Sequence, residues 1–379
     1  MKIGILGGGQ LARLLVLASP KLGCEMSVFA SPGDNCVEGL CSVTQSETSN
    51  TEALRKFCAS CDLITYEWEN LSVRDVKSAL QGLSTRVFPS LEVLEVIADR
   101  FFQKSFFKAQ GIPTAEFCLI ENESQLEQGI RSIGMPGILK TCREGYDGKG
   151  QKIIRNLNDV KIVWGELGSV PLIYEKFVPF ERELSLIACR NTLGEMKFYP
   201  LVENLHVRGI LRRTLAPAPR VSRALQDKAE SYACRVGEHL QYVGVMALEL
   251  FDRGESLLIN EMASRVHNTG HWTLDGSETS QFENHLRAGM GKTLGETRAT
   301  AYTAMLNFIG DVPEILDLDK NRNDLFVHLY GKKARPNRKV GHLNVTAGSP
   351  EELSKKLKVL EPKIVDQGLP QLPNRAEEF

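Results

Sequence analysis

Apolar positions fall mostly into short runs broken by glycine- or proline-bearing turns, with helical spacing in between. Residues 2–6 form one such run, three glycines follow, and Leu11, Leu14, Leu15 and Leu17 then recur at helical intervals. This predicts a strand, a glycine turn and a helix, the opening βα unit of a parallel sheet. Residues 26–29 and 62–66 predict further strands, and another begins at Val87 and Phe88 before Pro89. A boundary is placed at residue 98. Residues 99–109 read as a helix carrying Arg100 and Lys104, stopped by Gly111-Ile112-Pro113. Residues 137–140 and 151–154 predict a hairpin with a glycine stretch between them, and 172–178 and 183–189 predict two more strands. Residues 243–251 and 256–262 predict a second hairpin around Asp252-Arg253-Gly254. Ser280-Gln281-Phe282-Glu283 has the pattern of a capping box opening a helix. After Arg298 the character changes, with short strands at 324–329 and 340–345, a basic loop between them and a polar tail at 369–379 expected to fray.

A chain of 379 residues exceeds one ordinary core, so two or three domains are expected. A net charge of -1 excludes a general nucleic-acid or membrane-surface binder, and no run has the length of a membrane-spanning helix. Met1 leads straight into a strand, not a signal peptide. Nine scattered cysteines fit reduced thiols and a cytoplasmic location. Cys58 and Cys61 are spaced as a metal pair, but no second pair completes a zinc site, and they read as small residues at a helix end.

Four places carry chemistry. Lys140 to Gln151 has three glycines in six residues, Gly145, Gly148 and Gly150, among Asp147 and Lys149. Such a backbone admits phosphate oxygens closely, although the spacing is not that of a Walker loop and the same composition suits a plain hairpin. Gly7-x-Gly9-x-x-Ala12 matches a loose dinucleotide fingerprint, yet the second strand ends in Ala30-Ser31-Pro32 where an acid should meet the ribose. On the later hairpin, Glu249 and Glu261 share a face if the turn centres on Gly254, and with Asn260 they would then suit Mg²⁺. A turn shifted by half a register puts them on opposite faces. Arg265-Val266-His267-Asn268-Thr269-Gly270-His271 suits a small planar anion better than zinc, since Gly270 weakens a helix and no Glu adjoins the histidines. Lys332, Lys333, Arg335, Arg338 and Lys339 form a basic turn that by itself reads as solvated.

Together these segments resemble the ATP-grasp family of ligases. The resemblance is carried by Gly7-Gly8-Gly9-Gln10-Leu11, Thr65-Tyr66-Glu67, Asp99-Arg100, the stretch from Lys140, Glu175 to Glu183, Tyr199-Pro200, Glu203-Asn204-x-His206, Asn260-Glu261, His267-Asn268-x-Gly270-His271 and Ser280 to Glu283. It implies an α/β and α+β chain. A Rossmann-like domain would occupy 1–98, an ATP-grasp domain 99–297 with a lid over roughly 111–178, and a small C-terminal domain 298–379. It further implies a homodimeric ligase that uses ATP, Mg²⁺ and bicarbonate to carboxylate the exocyclic amine of aminoimidazole ribonucleotide. Carried over by motif, Arg100, Lys140, Gly145, Tyr146, Asp147, Gly148, Lys149, Gly150 and Gln151 would hold ATP phosphates. Glu175, Lys176, Phe177 and Val178 would line the adenine, Glu183 the ribose, with His206 and Asn260 near the nucleotide. Glu249 and Glu261 would bind Mg²⁺, and Arg265, His267 and Asn268 the bicarbonate. Tyr146, Asp147, Lys332 and Arg338 would contact the ribonucleotide. The chain departs from the family pattern at Ser264 and Val266, where prolines are usual, so its anion loop is expected to be less pre-ordered.

Overall fold

A computed structural model describes residues 1–33, 35–145, 149–254, 256–313 and 323–365. Tyr146, Asp147 and Gly148, and the tail 369–379, lie outside the described residues. Strands β1 (Lys2–Leu6), β2 (Glu25–Ala30), β3 (Ser42–Gln45), β4 (Leu63–Tyr66) and β5 (Arg86–Val87) form a parallel sheet in the order β3-β2-β1-β4-β5. Helix α1 (Gln10–Ala18) leaves the glycine turn and buries Leu11, Leu14 and Leu15, as the spacing requires, while Leu17 stays exposed. Gly7 has φ +108°, and a Cβ there would lie 2.5 Å from Glu67 Cγ, so both conformation and space demand glycine. Cys58 and Cys61 are buried thiols beside the helix end before β4.

Helix α2 (Arg100–Ala109) starts where Asp99 accepts the Phe101 and Phe102 N–H groups as N-cap. Beyond it, β6 (Phe117–Ile120), β7 (Gly137–Thr141), β8 (Gln151–Ile154) and β9 (Leu172–Lys176) make an antiparallel sheet in the order β6-β9-β7-β8. The β7–β8 hairpin is the expected one, with Lys140 opposite Gln151. Strand β9 stops at Lys176, short of the expected 178, because the Phe177 N–H turns to the Pro136 carbonyl. Ile120, Leu126, Ile130, Leu139, Leu172 and Tyr174 give this sheet its own core.

The remaining strands are β10 (Arg182–Arg190), β11 (Met196–Phe198), β12 (Val202–Val207), β13 (Ile210–Ala216), β14 (Gly244–Asp252), β15 (Leu257–Ala263), β16 (Tyr302–Ile309), β17 (Leu325–Leu329) and β18 (Lys339–Ala347). They form a second antiparallel sheet in the order β15-β14-β10-β12-β13-β16-β18-β17, with β11 on β10. The region after residue 298 therefore extends this sheet through the β13–β16 pairing. Helix α3 (Gln281–Gly289) opens on Ser280, whose hydroxyl accepts the Glu283 N–H, while the Glu283 carboxylate turns to Arg287. Helix α4 (Pro350–Val365) packs Leu353, Leu357 and Leu360 on the carboxyl-terminal strands. No helix among the described residues is long and apolar enough to cross a membrane.

One ion cluster pins β10 to its neighbours. Arg182 lies opposite Asp252, donates to it at 2.8 Å, and reaches Glu203 at 3.3 Å; the three side chains are 9%, 3% and 8% exposed. Removing only the cation strands two buried carboxylates. Arg182→Met is expected to lower stability by about 3–5 kcal/mol, read as a fall in the urea midpoint; an unchanged midpoint would contradict the cluster's role.

Candidate active site

The carboxylate pair is built by a defect in the second hairpin. Near the turn the register is Asp252↔Leu257, Phe251↔Leu258 and Leu250↔Ile259. These numbers sum to an odd value, the half-step shift that by itself places Glu249 and Glu261 on opposite faces. A β-bulge then inserts Asn260, and the register resumes as Glu249↔Glu261 and Leu248↔Met262. The extra residue turns Glu261 back to the face of Glu249. Burial, and then the facing Glu261 charge, push the Glu249 carboxyl well above its ordinary value. The Asn260 Oδ1 is buried with no hydrogen-bond partner among the described residues. Two facing carboxylates beside an unspent amide oxygen are a donor set for a hard divalent cation, and they fit Mg²⁺.

Across from this pair stand cations. Arg100, in the first turn of α2, donates to the Thr141 carbonyl at 2.9 Å and the Gly145 carbonyl at 2.8 Å, and its Nε lies 3.8 Å from Glu261 Oε2. A Cβ on Gly145 would sit 2.8 Å from Arg100 Nη1, so glycine lets this contact form. Lys140 and Lys104 both approach one oxygen of the buried Glu175, at 3.1 and 3.3 Å. Burial pushes the Lys104 pKa down; it also pushes Glu175 up, but the two lysines outweigh it and hold that carboxyl low. Two buried ammoniums on one carboxylate leave a surplus positive charge suited to an anion such as a phosphate. Lys149, Gly150 and Gln151 continue on the far side of the same hairpin, Gly150 with φ +69°. The Lys176 amine instead points outward to Glu116 at 2.8 Å, and Phe177 is exposed while Val178 is half-buried.

Glu183 and His206 meet directly, with Oε2 and Nδ1 2.8 Å apart. Burial lowers the His206 pKa, but Glu183 outweighs it and holds the imidazole above its usual value. Between them and the carboxylate pair, Asn204 donates to Ser185 and accepts from Thr214, a polar line across the sheet. His267 Nε2 sits 3.2 Å from Glu249 Oε1, with Nδ1 against Thr269 Oγ1 at 2.8 Å. Burial, followed by the Arg265 charge, pushes its pKa well down, so the ring is neutral. Arg265 is paired with Glu69 at 3.1 Å, and its Nε is a buried donor with no partner among the described residues. Asn268 exchanges both amide hydrogen bonds with Asn307, at 3.1 and 2.8 Å. Ser264 donates its N–H to Glu69 at 2.7 Å, a bond proline cannot make, and Val266 is fully buried. Both positions therefore carry a contact of their own, the Glu69 bond at Ser264 and burial at Val266. His271 is fully buried, with the rings of Phe282 and His342 against it. No group of three or more metal-binding side chains of the histidine, cysteine and acidic types occurs among the described residues.

The basic turn lies against the amino-terminal sheet. Lys332 donates to Gln10 Oε1 at 2.6 Å and is pushed down in pKa by burial, while Arg338 donates to the Lys333 carbonyl at 3.1 Å. Gln10 opens α1, and the N–H groups of Gly9 and Ala12 there bond the Glu67 carboxylate. A dinucleotide would place its pyrophosphate where Glu67 already sits, which removes the nicotinamide reading. Sequence reasoning missed Lys104 and Asn307 as parts of the site, although Lys104 carried a signal in its one-turn spacing from Arg100. Glu69 lies in Glu67-Trp68-Glu69-Asn70, the polar cluster after the 62–66 strand where open α/β sheets place ligand-binding loops.

Family models match three consecutive stretches: a ribonucleotide synthetase preATP-grasp domain over 1–98, an ATP-grasp domain over 105–282 and a phosphoribosylaminoimidazole carboxylase C-terminal domain over 303–356. The N5-carboxyaminoimidazole ribonucleotide synthase of Pseudomonas aeruginosa is 43% identical over 364 residues, covering 96% of this chain and 99% of the relative. The crystal structure of N5-carboxyaminoimidazole ribonucleotide synthetase from Thermus thermophilus superposes with a TM-score of 0.90 at 44% identity, covering 98% of this chain and 100% of that one. The Aspergillus clavatus enzyme, solved in complex with ADP and 5-aminoimidazole ribonucleotide, superposes with a TM-score of 0.86 at 28% identity, covering 96% and 98%. The ordered motifs, the sheet that joins them and the full-length likeness agree: this chain belongs to the N5-carboxyaminoimidazole ribonucleotide synthase family of ATP-grasp ligases.

Proposed function

We propose that this chain carboxylates the exocyclic amine of 5-aminoimidazole ribonucleotide with bicarbonate and ATP, through carboxyphosphate, releasing ADP and phosphate in purine (IMP) biosynthesis. The observation that carries this reading is the opposed Glu249–Glu261 pair beside His267 and Arg265, facing the surplus cations at Arg100, Lys104 and Lys140. Arg100, Lys140 and the backbone of 145–151 would take the ATP phosphates, residues 175–178 the adenine and Glu183 the ribose, with His206 beside the nucleotide. Glu249, Glu261 and the Asn260 oxygen would hold Mg²⁺, which when bound supplies charge neutralisation and Lewis acidity at the transferring phosphoryl group.

Within this reading a bicarbonate oxygen attacks the γ-phosphorus and the bond to ADP breaks. The ribonucleotide amine then attacks the carboxyl carbon, phosphate leaves, and the amine loses a proton. Arg265, braced by Glu69, offers its free Nε to the carboxylate of the anion, and the neutral His267 stands beside it as a hydrogen-bonding group. Asn268, tied to Asn307, fixes the loop backbone. Tyr146, Asp147, Lys332 and Arg338 would meet the ribonucleotide, the two cations at its phosphate. Closure of the glycine stretch would keep water from carboxyphosphate. The same reading includes domains at 1–98, 99–297 (lid roughly 111–178) and 298–379, a homodimer and a cytoplasmic enzyme.

Phosphate release from ATP, assayed with bicarbonate and aminoimidazole ribonucleotide added singly and together, is expected to require both for full rate. ADP formation indifferent to both would overturn the assignment. Arg338→Ala is expected to raise the KM for the ribonucleotide roughly tenfold, with little effect on that for ATP. Equal effects on both KM values would remove Arg338 from the phosphate contact.

A further inference from the structure

Strand β15 ends the large sheet, so its outer N–H and C=O groups have no neighbouring strand in that sheet. The segment that packs outside it supplies their partners. The Ile259 N–H reaches the Pro113 carbonyl at 2.8 Å, and Thr114 Oγ1 donates to the Ile259 carbonyl at 2.8 Å. Further along, α2 takes over. Lys104 Nζ donates to the Asn260 carbonyl at 3.0 Å, and Gln103 grips one residue at both ends. Its Oε1 accepts the Met262 N–H at 3.0 Å, and its Nε2 donates to the Met262 carbonyl at 3.1 Å and to the Ile97 carbonyl at 2.9 Å. Glu261 thus lies between two peptides pinned from outside.

The pinned site is the one that could slip. Asn260 is the extra residue of the bulge, and loss of the bulge would restore the odd sum, pair Glu249 with Asn260 and turn Glu261 to the other face. The backbone groups of β14 can pair in either register, so the observed one is held by the burial of Met262 with Leu248 and by the contacts of β15 with α2. Gln103, 4% exposed, holds both main-chain groups of Met262 next to Glu261, while Lys104 takes the Asn260 carbonyl that the bulge turns outward.

We propose that Gln103 is a positioning residue for the metal site: its two-ended grip on Met262 locks the Asn260 bulge and so holds Glu261 facing Glu249. The proposal rests on reading Glu249 and Glu261 as the cation pair. Lys104, adjacent on the same helix, also touches Glu175 of β9, so one turn of α2 braces both the carboxylate strand and the cationic side.

The test is equilibrium binding of Mn²⁺ to the full chain with saturating ADP, followed by electron paramagnetic resonance, alongside ADP binding without metal. Gln103→Met keeps the volume and removes both hydrogen bonds; Gln103→Asn keeps the amide but is too short to span the peptide, and carries the test if the first variant does not fold. Both are expected to weaken Mn²⁺ binding by about 10- to 100-fold while metal-free ADP binding stays at the wild-type value. Unchanged Mn²⁺ binding, or an equal loss of metal-free ADP binding, would overturn the positioning role. Glu261→Gln is the control. If it binds Mn²⁺ as wild type does, the metal-pair reading itself fails, independently of Gln103.

Discussion

A single inserted residue decides whether Glu249 and Glu261 of this chain face one another. Asn260 shifts the second hairpin by one residue, and because side chains alternate along a strand, that shift selects which face Glu261 joins. Two glutamates then oppose each other, an arrangement that like charges resist and a divalent ion would relieve. Burial first, and then the facing Glu261 charge, raise the Glu249 pKa. His267, Arg100 and the Lys104–Glu175–Lys140 cluster are all placed relative to this pair, so the chemistry of the cleft depends on the bulge.

The cleft is also a charge balance divided among separate elements. The carboxylates belong to β14 and β15, the lysines that share Glu175 belong to α2 and β7, and Arg100 ties α2 to the glycine stretch. Holding two buried ammoniums on one carboxylate is costly without a further anion. A polyphosphate would satisfy that surplus on one side and complete the coordination of a cation on the other. Lys332 against Gln10 joins the carboxyl-terminal part to the amino-terminal sheet, where Glu67 caps the start of α1.

Much of this was legible in the sequence where one residue's surroundings are local. The glycine turn after β1, the β7–β8 hairpin and the Ser280 cap each rest on nearby spacing and were read correctly. Strands β12, β13 and β16 were not read, because Glu203, Asn204 and His206 on β12, Arg212, Arg213 and Thr214 on β13, and Asn307 on β16 break the apolar pattern. The facing of Glu249 and Glu261 was expected for a symmetric turn, whereas it arises from a shifted turn corrected by a bulge, and no local spacing announces a bulge. Glu69, Asn307 and the Glu67 cap act across long sequence separations or between domains, beyond what periodicity reports. The missing prolines suggest a looser anion loop, and the Ser264 N–H bond to Glu69 is a contact on that loop that sequence alone does not display.

The most direct measurement is a crystal structure of the chain with Mg²⁺ and a non-hydrolysable ATP analogue. The account predicts an ion held by carboxylate oxygens of both Glu249 and Glu261 together with phosphate oxygens, with the Asn260 bulge intact. An ion bound only by phosphates and water, with either glutamate turned from it, would contradict the account.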